Sequence, residues 1–122
     1  MNGTTPALII QGHQAIISLE RPQQANRLEA EDLEVLMQHL ARVQKIPDVR
    51  VLRLRASGKH FCAGFNLHQL DEASGDGKAF EALTDALEAL RPITIAEVQG
   101  GVYGGATDLL LCCDFRFGSA AA

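Results

Sequence analysis

An α/β fold follows from three features of the sequence. Short apolar runs with strand character recur along the chain, the longer intervals between them carry helical periodicity, and glycine-rich turns stand where strands give way to helices. The 122 residues leave room for one domain around one modest core. A composition of 47% apolar and 21% charged residues is ordinary for a globular chain.

Ala7 to Gln11 and Ala15 to Glu20 are short β-branched runs separated by Gly12-His13-Gln14, the pattern of a hairpin. Arg21 to Asn26 breaks it, because Pro22 has no place in a central strand. From Glu29 to Gln44, Leu33, Leu36, Met37, Leu40 and Val43 form a helical stripe, with Glu29, Glu31 and Asp32 at the positive end of the dipole. His39 stands beside that stripe as a boundary residue, and Pro47-Asp48 ends the helix. In Val51 to Ala56, Leu52 and Leu54 alternate with Arg53 and Arg55, so a strand returns after the helix as in a crossover unit. The loop Ser57 to Leu70 turns helical near Asn66, and Glu72 to Lys78 reads as a polar connection. Phe80, Leu83, Leu87 and Leu90 mark an amphipathic helix ended by Pro92; Ile93 to Val98 is a strand, and Phe115 to Gly118 a further short one.

Eleven basic against fifteen acidic residues give a net charge of -4 with no Lys or Arg cluster, which disfavours a nucleic-acid partner. No apolar run approaches the length of a membrane span and Met1 to Pro6 lacks signal-peptide character, so a cytoplasmic location without membrane association is expected. Cys62, Cys112 and Cys113 form no C-x-x-C pair and read as buried free thiols. His13, His39, His60 and His68 lack ligand spacing, and no metal is expected.

Chemistry concentrates in Gly100 to Asp114. A strand runs into Gly100-Gly101-Val102-Tyr103-Gly104-Gly105 and then into a short apolar helix bearing Asp108, so amide N–H groups near Gly104 and Gly105 are free to hold a negatively charged oxygen. Ser57 to Leu70 is a second junction of strand, small-residue turn and helix start, and ligands in such sheets bind beyond the carboxyl ends of strands. Taken alone, that second loop reads as a common tight turn.

Together the two turns resemble the crotonase family, also called the enoyl-CoA hydratase/isomerase family. Lys59-His60-Phe61-Cys62-Ala63-Gly64-Phe65-Asn66-Leu67 is similar to its first signature. Pro92, Gly100, Gly104, Gly105, Asp108, Leu109, Cys113 and Asp114 match its second, and Ala25-Asn26-Arg27-Leu28 resembles its early Asn-Ala-Leu element. The resemblance runs through essentially the whole of residues 1–122 and implies the crotonase-like (ClpP/crotonase) α/β fold of repeated ββα units, here truncated. It implies an acyl-CoA substrate and no cofactor beyond the coenzyme A that the substrate carries. Phe65 and Gly105 match the residues whose backbone N–H groups form the oxyanion hole for the thioester carbonyl. Ala25, Ala63, Asn66 and Leu67 match the wall against coenzyme A, and Asp108 matches the first catalytic acid of the hydratases. Burial beside the apolar helix is expected to raise the pKa of Asp108 toward the working range; the alternative is an acid that caps or pairs at a helix end.

Asn66 replaces the usual Asp, Ala106 a third glycine, and Glu97-Val98-Gln99 a run of small residues. No residue matches the second catalytic acid, which with the C-terminal helices of a homotrimer or hexamer belongs to a later part of the family pattern. The resemblance thus implies a lyase or isomerase acting on an acyl-CoA thioester, with dehalogenase-like and thioester-hydrolysing relatives also open. A catalytically silent acyl-CoA-binding or assembly module is the alternative.

Overall fold

The computed structural model describes residues 3–65 and 76–120. The elements are β1 (Thr4–Gln11), β2 (Gln14–Glu20), a 3-10 turn (Pro22–Gln24), α1 (Ala30–Gln44), β3 (Val51–Ala56), α2 (Asp76–Glu88), β4 (Ile93–Val98), α3 (Ala106–Leu111) and β5 (Phe115–Gly118). The strands form one sheet in chain order, with β1 antiparallel to β2 and the other neighbours parallel. The expected α/β class and hairpin are therefore present. β1 starts earlier than the apolar run suggested, and its register shifts between Thr4 and Ala7, where Pro6 has no N–H to give the ladder. The Pro6 carbonyl instead accepts from His39 Nε2 at 2.7 Å, which fixes His39 at the boundary of α1.

The pleat sorts the sheet into two unlike faces. Ala15, Ile17 and Leu19 of β2, Leu52 and Leu54 of β3, and Ala96 and Val98 of β4 are buried. They share one core with Leu33, Leu36, Leu40 and Val43 of α1, Leu83 and Leu87 of α2, and Leu109 of α3. On the other face, register pairing lines up Ile9, Ile16, Arg53, Ile95 and Phe115 across all five strands. Ile9, Ile93, Phe115 and Phe117 are exposed there. Arg53 interrupts the row with a two-pronged ion pair to Glu97, Nε to Oε2 at 2.7 Å and Nη2 to Oε1 at 3.1 Å.

α2 begins at Asp76, so the end of the stretch expected as a polar connection is helical. Gly77 and Lys78 have weak or neutral reasons of their own to be helical; Phe80 and Leu83, packed into or against the core, decide the conformation. The rest of that expected connection, and the helical turn expected near Asn66, lie outside the described residues.

Polar side chains, some of them buried, hold the helices and loops to the sheet. Arg21 reaches Asp32 through Nε (2.9 Å) and Nη2 (3.2 Å), and Glu31 through Nη2 (2.6 Å). Asp32 is 1% exposed, and its Oδ2 also accepts from the Glu29 N–H at 2.8 Å, closing the first turn of α1. Its role is thus to anchor Arg21 as well as to complement the dipole. At the other end of α1, Arg91 donates to the carbonyls of Ile46 (2.8 Å) and Val49 (2.9 Å). The Asp114 carboxylate accepts from the Thr94 N–H at 2.8 Å, and in return the Asp114 N–H donates to Thr94 Oγ1 at 2.9 Å, tying the end of α3 to β4.

Cys62, Cys112 and Cys113 are free, and Cys62 and Cys113 are buried. Burial pushes the Cys62 and Cys113 thiols up from 9.0 to about 11. A raised acid favours the folded state fully while both states stay protonated, and that contribution is lost once the unfolded thiols ionise. Stability should therefore fall as pH rises from 9.0 to about 11, and denaturant titrations of a Cys62→Ala/Cys113→Ala variant should show a flatter decline over the same window. Asp32→Ala, which strands the buried Arg21, should lower unfolding free energy by about 3–5 kcal/mol. Glu31→Ala removes only an exposed partner and should lower it by less than about 1 kcal/mol in the same urea titrations.

Candidate functional site

Past the carboxyl ends of β2, β3 and β4, the chain keeps the neighbour order of the sheet without its regularity. The segment 62–65 runs between 25–28 and 101–103, with bridges pairing Leu28 with Phe65 and Cys62 with Val102. The Ala63 N–H donates to the Ala25 carbonyl at 2.9 Å and the Leu28 N–H to the Gly64 carbonyl at 2.8 Å. On the other side, the Cys62 N–H donates to Gly101 at 3.2 Å and the Tyr103 N–H to Cys62 at 3.1 Å. Ala25 and Ala63, both matched to the coenzyme A wall, are thus direct neighbours. Ala25 holds φ at 53°, a left-handed turn that aims its carbonyl at the 62–65 segment. Asn66 and Leu67, the other two wall positions, lie outside the described residues.

Gly64 brings the two glycine turns together. Its φ is +91°, and a Cβ there would stand 2.7 Å from the Tyr103 carbonyl oxygen and 3.2 Å from the Gly105 nitrogen. Only a residue without a side chain admits this approach. The Phe65 and Gly105 positions are therefore adjacent. Among the described residues, neither amide N–H donates to a carbonyl, whereas the neighbouring Ala106, Thr107 and Asp108 N–H groups are taken by Tyr103, Gly104 and Gly105. Two unspent donors beside one another suit an oxygen bearing developing negative charge.

Buried groups set the geometry from behind. Asn26, 1% exposed, accepts the Arg21 N–H at 2.8 Å and donates to the carbonyls of Ser57 (2.7 Å) and His60 (2.8 Å). Cys62 Sγ lies 3.3 Å from the Asn26 carbonyl and 3.4 Å from the Gly64 nitrogen. From the front, Phe80 of α2 packs its ring against Phe65, centroids 6.1 Å apart, and a Cβ on Gly105 would meet Phe80 Cζ at 3.1 Å. Phe80 thus touches both donor positions. Sequence reasoning counted it only as the start of a helical stripe; its aromatic ring at the first turn of α2 was the available signal.

Asp108 departs from expectation. In α3 the buried residues are Ala106 and Leu109, and helical geometry turns the side chain between them outward, so Asp108 is exposed rather than buried. It borders an open cleft of about 410 Å³ with Phe80, Glu81, Thr84, Glu88 and Cys112. Burial and the Glu88, Asp108 and Asp85 carboxylates raise the Cys112 thiol above its ordinary value, and the cleft lining carries Glu81, Glu88 and Asp108. Among the described residues no group of three or more His, Cys, Asp or Glu is placed to hold a metal ion, and no helix is long and apolar enough to cross a membrane.

The sequence profile of the enoyl-CoA hydratase/isomerase family matches residues 10–122. A Pseudomonas aeruginosa structure, PA4980, superposes with a TM-score of 0.88 at 38% identity, over 96% of this chain and 53% of that one. The enoyl-CoA hydratase EchA19 of Mycobacterium tuberculosis is 32% identical over 119 residues, 91% of this chain and 45% of the relative. A peroxisomal Delta(3,5)-Delta(2,4)-dienoyl-CoA isomerase of Arabidopsis thaliana is 30% identical over 121 residues, 85% and 44% of the respective lengths. The chain spans about half the length of these relatives. With paired glycine turns at the carboxyl ends of a mainly parallel sheet, and a family profile that covers all but its first residues, the chain belongs to the enoyl-CoA hydratase/isomerase, or crotonase, family and corresponds to the N-terminal half of that fold.

Proposed function

We propose that this chain holds the thioester carbonyl of an acyl-CoA between the Phe65 and Gly105 N–H groups and supports lyase or isomerase chemistry on the acyl chain. The observation that supports the reading is the contact of Gly64 with Gly105, beside two amides that donate to no carbonyl among the described residues. Withdrawing electrons from the carbonyl acidifies the adjacent carbon, so an enolate can form and its charge rests on the two donors. Preorganised donors of this kind are worth roughly 3–4 kcal/mol each. Ala25 and Ala63 form the wall along which coenzyme A lies, and the resemblance assigns Asn66 and Leu67 to the same wall. Asp108 takes the mobile proton. One acid suffices for double-bond isomerisation, since the proton removed from one carbon returns to another; hydration ordinarily engages a second acid. A homotrimer or hexamer of the longer form and a cytoplasmic location complete the reading.

The outward position of Asp108 favours a second reading, an acyl-CoA-binding module without turnover. Crotonyl-CoA binding by calorimetry and turnover by loss of enoyl absorbance separate the two. On the enzymatic reading, Gly64→Ala, which forces the donor turns apart, lowers turnover by about 10²–10³. Asp108→Ala abolishes most turnover and leaves binding intact. Binding without turnover, unchanged by Asp108→Ala, supports the silent module; absence of binding overturns both readings.

A further inference from the structure

We infer that Gln99 is a positioning residue for the Phe65 donor, a role that rests on the oxyanion reading above. Gln99 follows β4 immediately. Its Nε2 stands 3.0 Å from the Ala56 carbonyl oxygen, 3.0 Å from that of Gly58 and 3.1 Å from that of His60. Asn26 Nδ2 holds the carbonyls of Ser57 and His60 from the opposite side. Two carboxamides thus grip the turn that leads directly into Phe61 to Phe65.

Chemistry fixes the orientation of the Gln99 amide. Turned the other way, Oε1 would face three carbonyl oxygens; as it stands, Oε1 is buried and has no partner among the described residues. An orphaned buried acceptor is unfavourable, so the three carbonyl contacts outweigh it. The backbone of Gln99 is fixed as well, for its carbonyl accepts from Ser119 Oγ at 3.0 Å. Two residues on, the Gly101 carbonyl takes the Phe61 and Cys62 N–H groups at 3.0 and 3.2 Å. One short segment, 99–101, therefore sets both the turn before the donor strand and the register of the strand itself.

Loss of the amide donors should let the turn relax and displace the Phe65 N–H from the carbonyl it serves, without touching the coenzyme A wall. The test uses Gln99→Met, which keeps length but has no donor, and Gln99→Lys, whose ammonium offers donors and no orphan acceptor. Each folded variant is titrated with crotonyl-CoA and with coenzyme A, and the infrared stretch of the bound thioester carbonyl is recorded. The expected result is a carbonyl shift to lower frequency in the parent that is largely lost in Gln99→Met and retained in Gln99→Lys, with coenzyme A affinity alike in all three. Turnover, where present, should fall about tenfold to a hundredfold in Gln99→Met through kcat rather than KM. A full shift in Gln99→Met, or a loss in Gln99→Lys as complete as in Gln99→Met, overturns the inference while leaving the oxyanion reading standing. Crotonyl-CoA bound by the parent with no carbonyl shift overturns the oxyanion reading and this role together. Should Gln99→Met not fold, Gln99→Ala, which removes the donors and the orphan acceptor together, takes its place in the same comparison.

Discussion

Gly64 lies so near the Tyr103–Gly105 turn that one methyl group would press on a carbonyl oxygen and on the nitrogen of Gly105. Everything distinctive about the site depends on this approach. Two loops from successive parallel strands meet only because Gly64 gives up a side chain where they touch, and two amides without a carbonyl partner among the described residues lie at the meeting point. The sheet supplies the coarse placement by bringing the carboxyl ends of β3 and β4 alongside each other. The missing Cβ supplies the last ångström. Since an amide belongs to the main chain, Phe65 keeps its N–H whatever its side chain does, and its ring remains available to pack on Phe80.

Such a contact between irregular segments needs support that a hydrogen-bonded ladder would otherwise provide. Here it comes from buried side chains that act as substitute backbone. Asn26 and Gln99 donate to carbonyls at the end of β3 and in the turn after it, and Arg21 links the Asn26 turn to Asp32 at the head of α1. The site is thus continuous with the stability of the helix layer. A satisfied polar network in a low-dielectric interior specifies one arrangement more sharply than apolar packing does, because each alternative strands a donor or acceptor.

These layers were unequally legible in the sequence. The strand and helix order follows from hydrophobic periodicity, and the two donor turns follow from glycine spacing, since both are local signals that survive without three-dimensional context. Ala25 beside Ala63 followed only from the resemblance, because nothing in either short segment announces the other. The Arg21–Asp32 pair was hidden because both residues look like surface charges until the turn at Pro22 folds back over α1. Gln99 was hidden for a related reason: a polar residue after a strand reads as solvated, and its acceptors are carbonyls that have no sequence signature. The burial expected of Asp108 was misjudged because a helix of six residues shows its buried side only after its neighbours are in place. Phe80 was recognised as apolar and assigned to the core, while its contact with both donor positions depends on where α2 begins.

The outer face of the sheet carries a last consequence. Parallel strands are ordinarily covered on both sides, and here one side presents Ile9, Ile16, Ile95 and Phe115 in a row with Arg53 at its middle, bound to Glu97. A layer laid over that row would have to dehydrate an ion pair together with the hydrocarbon beside it. Dehydrating such a pair is unfavourable unless the incoming surface returns hydrogen bonds to it. The face therefore discriminates between arrivals: an indifferent greasy surface meets a penalty at its centre, and only one with polar groups in register recovers what the water gave.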